Sequence, residues 1–278
     1  MAKINPLSQQ HLGAMVPGLP HLLRGDLNPR YQELAEAVSQ VGDWLADEGV
    51  ERVIYFSTKW LSVLGQMYQG RRNLRGRHVD EMWYDLGDLP FDFDVDTSFA
   101  QFLADKAHAQ GHQTHIVDYD GFPVDTGTIV ADRLLNRGRF CVNMVACSLY
   151  LDLEGMDRFA TTVSQAISQG SKKTAVIAVS GLSGHWHKIF LPYSQDQGLP
   201  AVDDSYNRRF LSLLETGEVG QAVAMLPDYG RKCHVDMGGK ALPFLVGAGV
   251  ASDGHNAHVT AYGSIYGTGA AVVRFPVP

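Results

Sequence analysis

The sequence predicts an α/β fold, a single domain over residues 1–278 with a central β-sheet flanked by helices. Three observations carry this. β-branched and aromatic runs such as Val53–Phe56 and Thr174–Val179 alternate with segments whose apolar residues recur at helical spacing. No linker-like tract, internal repeat or composition break divides the 278 residues. Several of the apolar runs end in polar or glycine-rich loops, as strands do at the carboxyl edge of such a sheet, where ligands are handled.

Ala14-Met15-Val16 reads as a first strand. Pro17-Gly18-Leu19-Pro20 stops it, because two prolines and a glycine exclude regular pairing. Asn28 is placed to cap a helix whose first residue is Pro29. Tyr31, Leu34, Val38, Val41 and Leu45 give that helix an apolar face, and Gly49 a stop. The Val53–Phe56 strand then runs into Ser57-Thr58-Lys59-Trp60. From Gln66 to Asp96 the pattern is loop-like; Arg71, Arg72, Arg75 and Arg77 read as a solvated cluster or, alternatively, a docking surface. Thr97 is placed to cap a helix through Gln110, Thr114–Val117 is a strand, and Asp125-Thr126-Gly127-Thr128 a turn. A strand over Phe140–Ala146, a helix over Gly155–Gln169 and the Thr174–Val179 strand follow. A helix opening at Asp204 or Ser205 runs to Glu215, and a small apolar helix covers Ala241–Val246. Gly263 to Gly269 is a tight turn into a closing strand, Ala270–Phe275.

Composition bounds the function. Hydrophobic residues make up 45% and charged residues 19%, a globular balance. The net charge of −7 argues against a nucleic-acid or anionic-membrane partner, and no apolar run reaches membrane-spanning length. The N-terminal stretch Met1 to Gln10 is polar, without a signal-like apolar core. Cys141, Cys147 and Cys233 neither pair evenly nor form a CxxC arrangement, which points to a reduced, cytoplasmic chain.

The chemical motifs are weak by themselves. His185 and His187 would share a face, and could share a metal, only on a strand. Cys233-His234-Val235-Asp236 is compatible with a metal or with a plain polar loop. Gly181-Leu182-Ser183-Gly184 misses the GxSxG nucleophile elbow by one residue, and the glycine-rich Gly263–Gly269 stretch lacks a P-loop lysine.

Taken together, the loops resemble the type III extradiol ring-cleavage dioxygenases. The likeness spans nearly the whole chain: Pro17-Gly18-Leu19-Pro20-His21, Phe56-Ser57-Thr58-Lys59-Trp60, the Tyr84-Asp85 to Pro90-Phe91 segment, Asp125-Thr126-Gly127-Thr128, Val179-Ser180-Gly181-Leu182-Ser183 and Tyr262-Gly263-Ser264 to Val273. In that family two histidines and a glutamate hold a non-haem Fe(II) and leave positions open for substrate and dioxygen. Here Gly18 and Lys59 stand where the resemblance places the two histidines. Thr126 replaces a further pocket histidine, and Gly184 the acid–base histidine, with His185 one step late. No glutamate follows Glu218, and Asp236 is the carboxylate nearest the expected place.

The resemblance therefore implies the fold without the chemistry: no cofactor or metal in this chain, and the four vestigial positions Gly18, Lys59, Thr126 and Gly184. It implies pairing with a homologous beta subunit that carries Fe(II), as two alpha and two beta chains, in a complex that opens the ring of 2-aminophenol or a chlorinated relative. An active metalloenzyme with a rearranged site using His185, His187 or His234, and a metal-free binding protein, stand beside that reading. Lys59 carries its own expectation. Its ammonium takes the place of the absent cation, within about 3.2 Å of Asp125 or Asp236, or it extends to solvent.

Overall fold

The most apolar runs of the sequence become the middle of one sheet. The computed structural model describes residues 10–120, 124–196 and 198–277; nearly all of the polar N-terminal stretch, residues 1–9, lies outside them. Ten strands and seven helices are described: β1 (Gly13–Val16), α1 (Pro29–Asp47), β2 (Arg52–Ser62), β3 (Gln66–Gln69), β4 (Leu74–His78), β5 (Leu89–Phe93), α2 (Thr97–Ala109), β6 (Thr114–Val117), α3 (Thr126–Leu135), β7 (Cys141–Ser148), α4 (Leu153–Gln169), β8 (Thr174–Val179), α5 (Ala201–Glu215), α6 (Val219–Cys233), α7 (Ala241–Gly247), β9 (His258–Ile265) and β10 (Thr268–Phe275). Eight strands form one sheet in the order β6-β3-β7-β2-β8-β1-β10-β9, and β4 and β5 form a separate ribbon.

β7, β2, β8 and β1 run parallel, with Val53 registered between Val142 and Ala175. Their side chains are buried on both faces, which explains why these runs read as continuous apolar stretches. Alternation still decides which layer each residue joins. Val53 and Tyr55 pack into the layer under α1 and α3. Ile54 and Phe56 pack into the layer under α2, α4, α6 and α7. There Phe56 stacks on Phe244 with ring centroids 3.9 Å apart. Because the four central strands are parallel, all four carboxyl ends open on one edge.

Asn28 caps α1 as expected, accepting from the Arg30 N–H at 3.0 Å. The cap of α2 is Asp96 rather than Thr97. The four residues read as a turn at Asp125 are the cap and first turn of α3, Asp125 accepting from Thr128 N–H at 3.0 Å. The segment from Gln66 to Asp96 is not loop throughout, since it holds β3, β4 and β5. β3 is four residues long, and β4 alternates arginine with glycine, so neither shows an apolar period. Arg75 and Arg77 pair with Asp92 and Asp88 on the β5 side of the ribbon, both at 2.8 Å. α6 was hidden by Pro227 within it, and β9 by an exposed or half-exposed polar face at the sheet edge. α5 starts at Ala201, ahead of the expected Asp204. The glycine-rich turn narrows to Tyr266 and Gly267, both at positive φ, between β9 and β10.

One buried ion pair locks β2 to α2. Arg52 is almost fully buried, donates to Asp96 at 2.7 Å and lays its guanidinium 3.7 Å from the centroid of Phe99. Burial pushes the Asp96 carboxyl up, but the Arg52 hydrogen bond and the Phe99 N–H outweigh it and hold it below the usual range. Removing Asp96 strands a buried guanidinium and uncaps α2. Asp96→Ala is expected to cost roughly 3–5 kcal/mol of stability in urea unfolding.

Candidate functional site

Six loops meet where the parallel strands end. Pro17-Gly18-Leu19 leaves β1, Thr58-Lys59 closes the core of β2, and Ser180 to Gly184 leaves β8. Asp125 and Thr126 start α3, His234 to Met237 follow α6, and Thr268 to Ala270 begin β10. Two adjoining cavities lie between them. A tight one of about 190 Å³ is lined by Gly18, Lys59, Gly184 and Asp236, among others. A wider one of about 660 Å³ shares Gly18 and Lys59 and adds Trp60, Asp125 and Thr126. The structure thus gathers all four positions that the sequence singles out around two joined spaces.

The chemistry of those positions is that of a hydrogen-bonded tie. Asp236 accepts at one oxygen from the Thr58 hydroxyl at 2.7 Å and from the Gly181 N–H at 2.8 Å. Asp125 accepts from Ser57 Oγ at 2.6 Å and from the Thr128 N–H and hydroxyl. Thr126 donates its hydroxyl to Asp80 at 2.6 Å, with His78 Nε2 at 3.0 Å. Lys59 is the remaining charge. Its ammonium stands 3.7 Å from the second oxygen of Asp236, beyond the expected hydrogen-bond distance, and its side chain is 40 % exposed. It makes no ion pair with Asp125; its stem instead runs beside Gly127. Lys59 is therefore a partly solvated neighbour of Asp236, and the carboxylate is compensated first by Thr58 and the Gly181 backbone.

Two of the four positions are closed to any side chain. A β-carbon on Gly18 would stand 2.5 Å from Val179 Cγ1 and 2.6 Å from Gly127 Cα. A β-carbon on Gly184 would stand 2.5 Å from the His234 carbonyl oxygen. All three distances lie well inside van der Waals contact for carbon and oxygen. The main chain of α3 and of the residue after α6 occupies the space a ligand side chain would need.

The histidines are directed elsewhere. His185 and His187 lie in an irregular loop after β8, not on a strand. His185 Nδ1 meets Asp203 at 2.8 Å, and His187 Nε2 meets Asp196 at 2.8 Å. Both carboxylates are fully buried, so each imidazole has its own partner and the two do not converge. Asp196 also accepts from the Tyr31 hydroxyl and the Tyr266 N–H. His234 ends α6 in the left-handed conformation and packs edge-on against the His185 ring. Among the described residues no three His, Cys, Asp or Glu side chains group as a metal site. The donor set does not fit an Fe(II) centre, since an ammonium, two glycines and a threonine stand at the four positions and Asp236 is already engaged.

The buried partners Asp196 and Asp203 were not singled out by sequence. A signal existed for Asp203, because Asp203, Asn207, Phe210, Leu211 and Leu214 form the buried face of α5 at helical spacing. Asp196 lies in an irregular segment and has no such pattern.

His21 sits in this neighbourhood without joining it. It is fully buried, neither ring nitrogen has a hydrogen-bond partner, and Tyr31, Trp83, Tyr193 and Tyr266 surround it. Burial lowers its imidazole to about 4, against opposing attraction from Asp196, Asp85 and Asp80.

Thr58→Val is expected to cost about 1–3 kcal/mol, because it strips the largely shielded Asp236 carboxylate of a donor. Lys59→Ala should cost less than about 1 kcal/mol, the range of a solvated ion pair; urea unfolding of both variants ranks the two contacts. For His21 the folded value lies below the ordinary 6.5, so its neutral form supports folding above pH 6.5 and that support is lost as the pH falls toward 4. Between pH 7 and 5 the loss should be about 2 kcal/mol, and His21→Phe should remove it.

Residues 17–276 match the family described as the catalytic LigB subunit of aromatic ring-opening dioxygenase. The chain is 36% identical to a 2-aminophenol 1,6-dioxygenase alpha subunit from a Pseudomonas species, covering 95% of this chain and 97% of that protein. It is 22% identical to a 2-aminophenol 1,6-dioxygenase beta subunit from a Pseudomonas species, covering 95% of this chain and 92% of that one. An uncharacterized protein of Escherichia coli K12 shares the fold, with a TM-score of 0.64 at 13% identity over 96% of this chain and 100% of its own.

Proposed function

The chain belongs to the LigB family of aromatic ring-opening dioxygenase subunits, and from that premise we propose that it is the iron-free, non-catalytic alpha subunit of a heteromeric extradiol dioxygenase. The enzyme it serves opens the ring of 2-aminophenol, or a chlorinated 2-aminophenol, with dioxygen. Fe(II) and the catalytic groups belong to a homologous beta subunit, and the assembly holds two alpha and two beta chains in the cytoplasm. The chain forms one domain over residues 1–278, with no nucleic-acid or membrane partner. Full-length likeness to both an alpha and a beta subunit of one enzyme supports the heteromeric reading. Among the described residues no helix is long and apolar enough to cross a membrane.

The observation that carries the non-catalytic role is the closure of Gly18 and Gly184. Their β-carbon positions are filled by the Val179 side chain and the main chain of Gly127 and His234. Loss of a ligand side chain alone would leave a vacancy that another donor could fill. Here the neighbouring main chain occupies the space a β-carbon would need. A rearranged site is disfavoured by the separate buried partners of His185 and His187. Lys59 adds a positive charge where a cation would bind.

The test is metal content and turnover of the chain alone and of the co-expressed pair. The isolated chain is expected to hold no stoichiometric iron and to leave 2-aminophenol intact, while the pair contains iron and opens the ring. Stoichiometric iron with ring cleavage by the isolated chain would overturn the reading.

A further inference from the structure

The exposed apolar side chains of this protein are unevenly placed. Leu61, Val63 and Leu64 at the end of β2, Tyr150 after β7, and Ile189 and Phe190 after β8 are between 49% and 82% exposed. Leu61 is in the last residues of β2, and the other five lie on loops, all at the carboxyl edge of the parallel strands. The loops are joined. Leu149 N–H donates to the Ser62 carbonyl at 2.8 Å, which ties the end of β7 to the end of β2. Leu61, Val63 and Leu64 line the wider cavity together with Met82, and Trp83 beside Met82 contacts Trp186 in the loop that carries Ile189 and Phe190.

We propose that this apolar rim over the closed pocket is the surface that seats the homologous iron-bearing subunit. The proposal rests on the heteromeric reading above and adds the surface through which it works. Side chains of this size, exposed to this degree, offer roughly 100 Å² each. With the neighbouring Met82, Leu149 and Trp186 the rim presents on the order of 800 Å², which is what one partner contributes to a standard stable interface. A monomer rarely leaves so large an apolar area in water.

The place of the rim also selects the kind of chain that could bear it. In an α/β enzyme the carboxyl edge must admit substrate. A subunit whose ligand positions at Gly18 and Gly184 are closed has no such requirement, and its edge is free to be covered. A second copy of this chain is the poorer occupant, because each copy carries a net charge of −7 and like-charged chains repel at moderate salt.

The experiment uses the full chain and the beta subunit from the same genome. Ile189→Asp combined with Phe190→Asp, and separately Leu64→Asp, place charge in the rim. Tyr119→Asp places it at an equally exposed apolar residue after β6, at the opposite edge of the sheet. The rim variants are expected to weaken pairing at least tenfold in Kd, with the unfolding midpoint of the isolated chain unchanged, and Tyr119→Asp to pair like the parent. Rim variants that pair as tightly as the parent would show that the surface is wrong while the heteromeric reading stands. A parent chain that does not pair with the beta subunit would sink both. A parent chain that pairs with itself through this rim, and loses that pairing in the variants, would overturn the choice of partner.

Discussion

The site depends on one largely shielded carboxylate, 15% exposed, that three segments share. Asp236 takes the Thr58 hydroxyl from the end of β2 and the Gly181 N–H from the loop after β8, while its own backbone belongs to the turn after α6. A carboxylate left without donors in such a place is costly, and one with two short neutral donors and a cation 3.7 Å away is stable. The three segments therefore cannot separate without uncovering that charge. Hydrogen bonding to one carboxylate ties these loops together.

Closure follows from the same constraint. With the loops drawn onto Asp236, the direction a β-carbon would take at Gly18 or Gly184 is occupied by neighbouring atoms, even though small cavities lie beside both residues. Val179 and the first turn of α3 fill one position, and the His234 carbonyl the other. Glycine is what lets the chain pass there. The identity of these two residues is a packing requirement now, whatever ligand stood there in a relative. Lys59 has a looser part. It shares both cavities and leans toward Asp236, but water reaches much of it, so its charge tunes the site more than it holds it.

Much of the fold was legible because burial and pattern coincide. The strands β2, β7 and β8 are apolar on both faces, and α1 and α4 carry clear helical periods, so composition located them. The parts that were not legible share a physical reason. β4 and β5 form a ribbon with charged outer faces held by Arg75–Asp92 and Arg77–Asp88 pairs, and such cross-strand pairing leaves no apolar period. α3 begins with Asp125-Thr126-Gly127-Thr128, which local chemistry cannot tell from a turn, since a helix cap and a turn use the same side-chain bond. α6 contains Pro227, and tertiary packing of Leu226 and Tyr229 overrides it. For the site, the substituted positions were readable, and the structure brings them together. The identity of the tie was not. Nothing in the spacing of Thr58 and Asp236, 178 residues apart, announces a hydrogen bond.

Most of the buried apolar side chains lie away from the candidate site. The two apolar layers on either face of the sheet hold the large buried side chains, from Tyr31 and Tyr55 in one to Phe159 and Phe244 in the other, and the loops at the carboxyl edge add only smaller ones such as Leu182 and Val235. Buried polar groups outside the site follow the same independence. Asp132 lies under Tyr55 and Asn136, is pushed up to about 6 by burial, and accepts a hydrogen bond from each. It belongs to the α1–α3 layer and has no link to Asp236. A sheet built this way holds its shape while the loops at one edge vary, and that edge is where the exposed apolar residues at the ends of β2, β7 and β8 are concentrated.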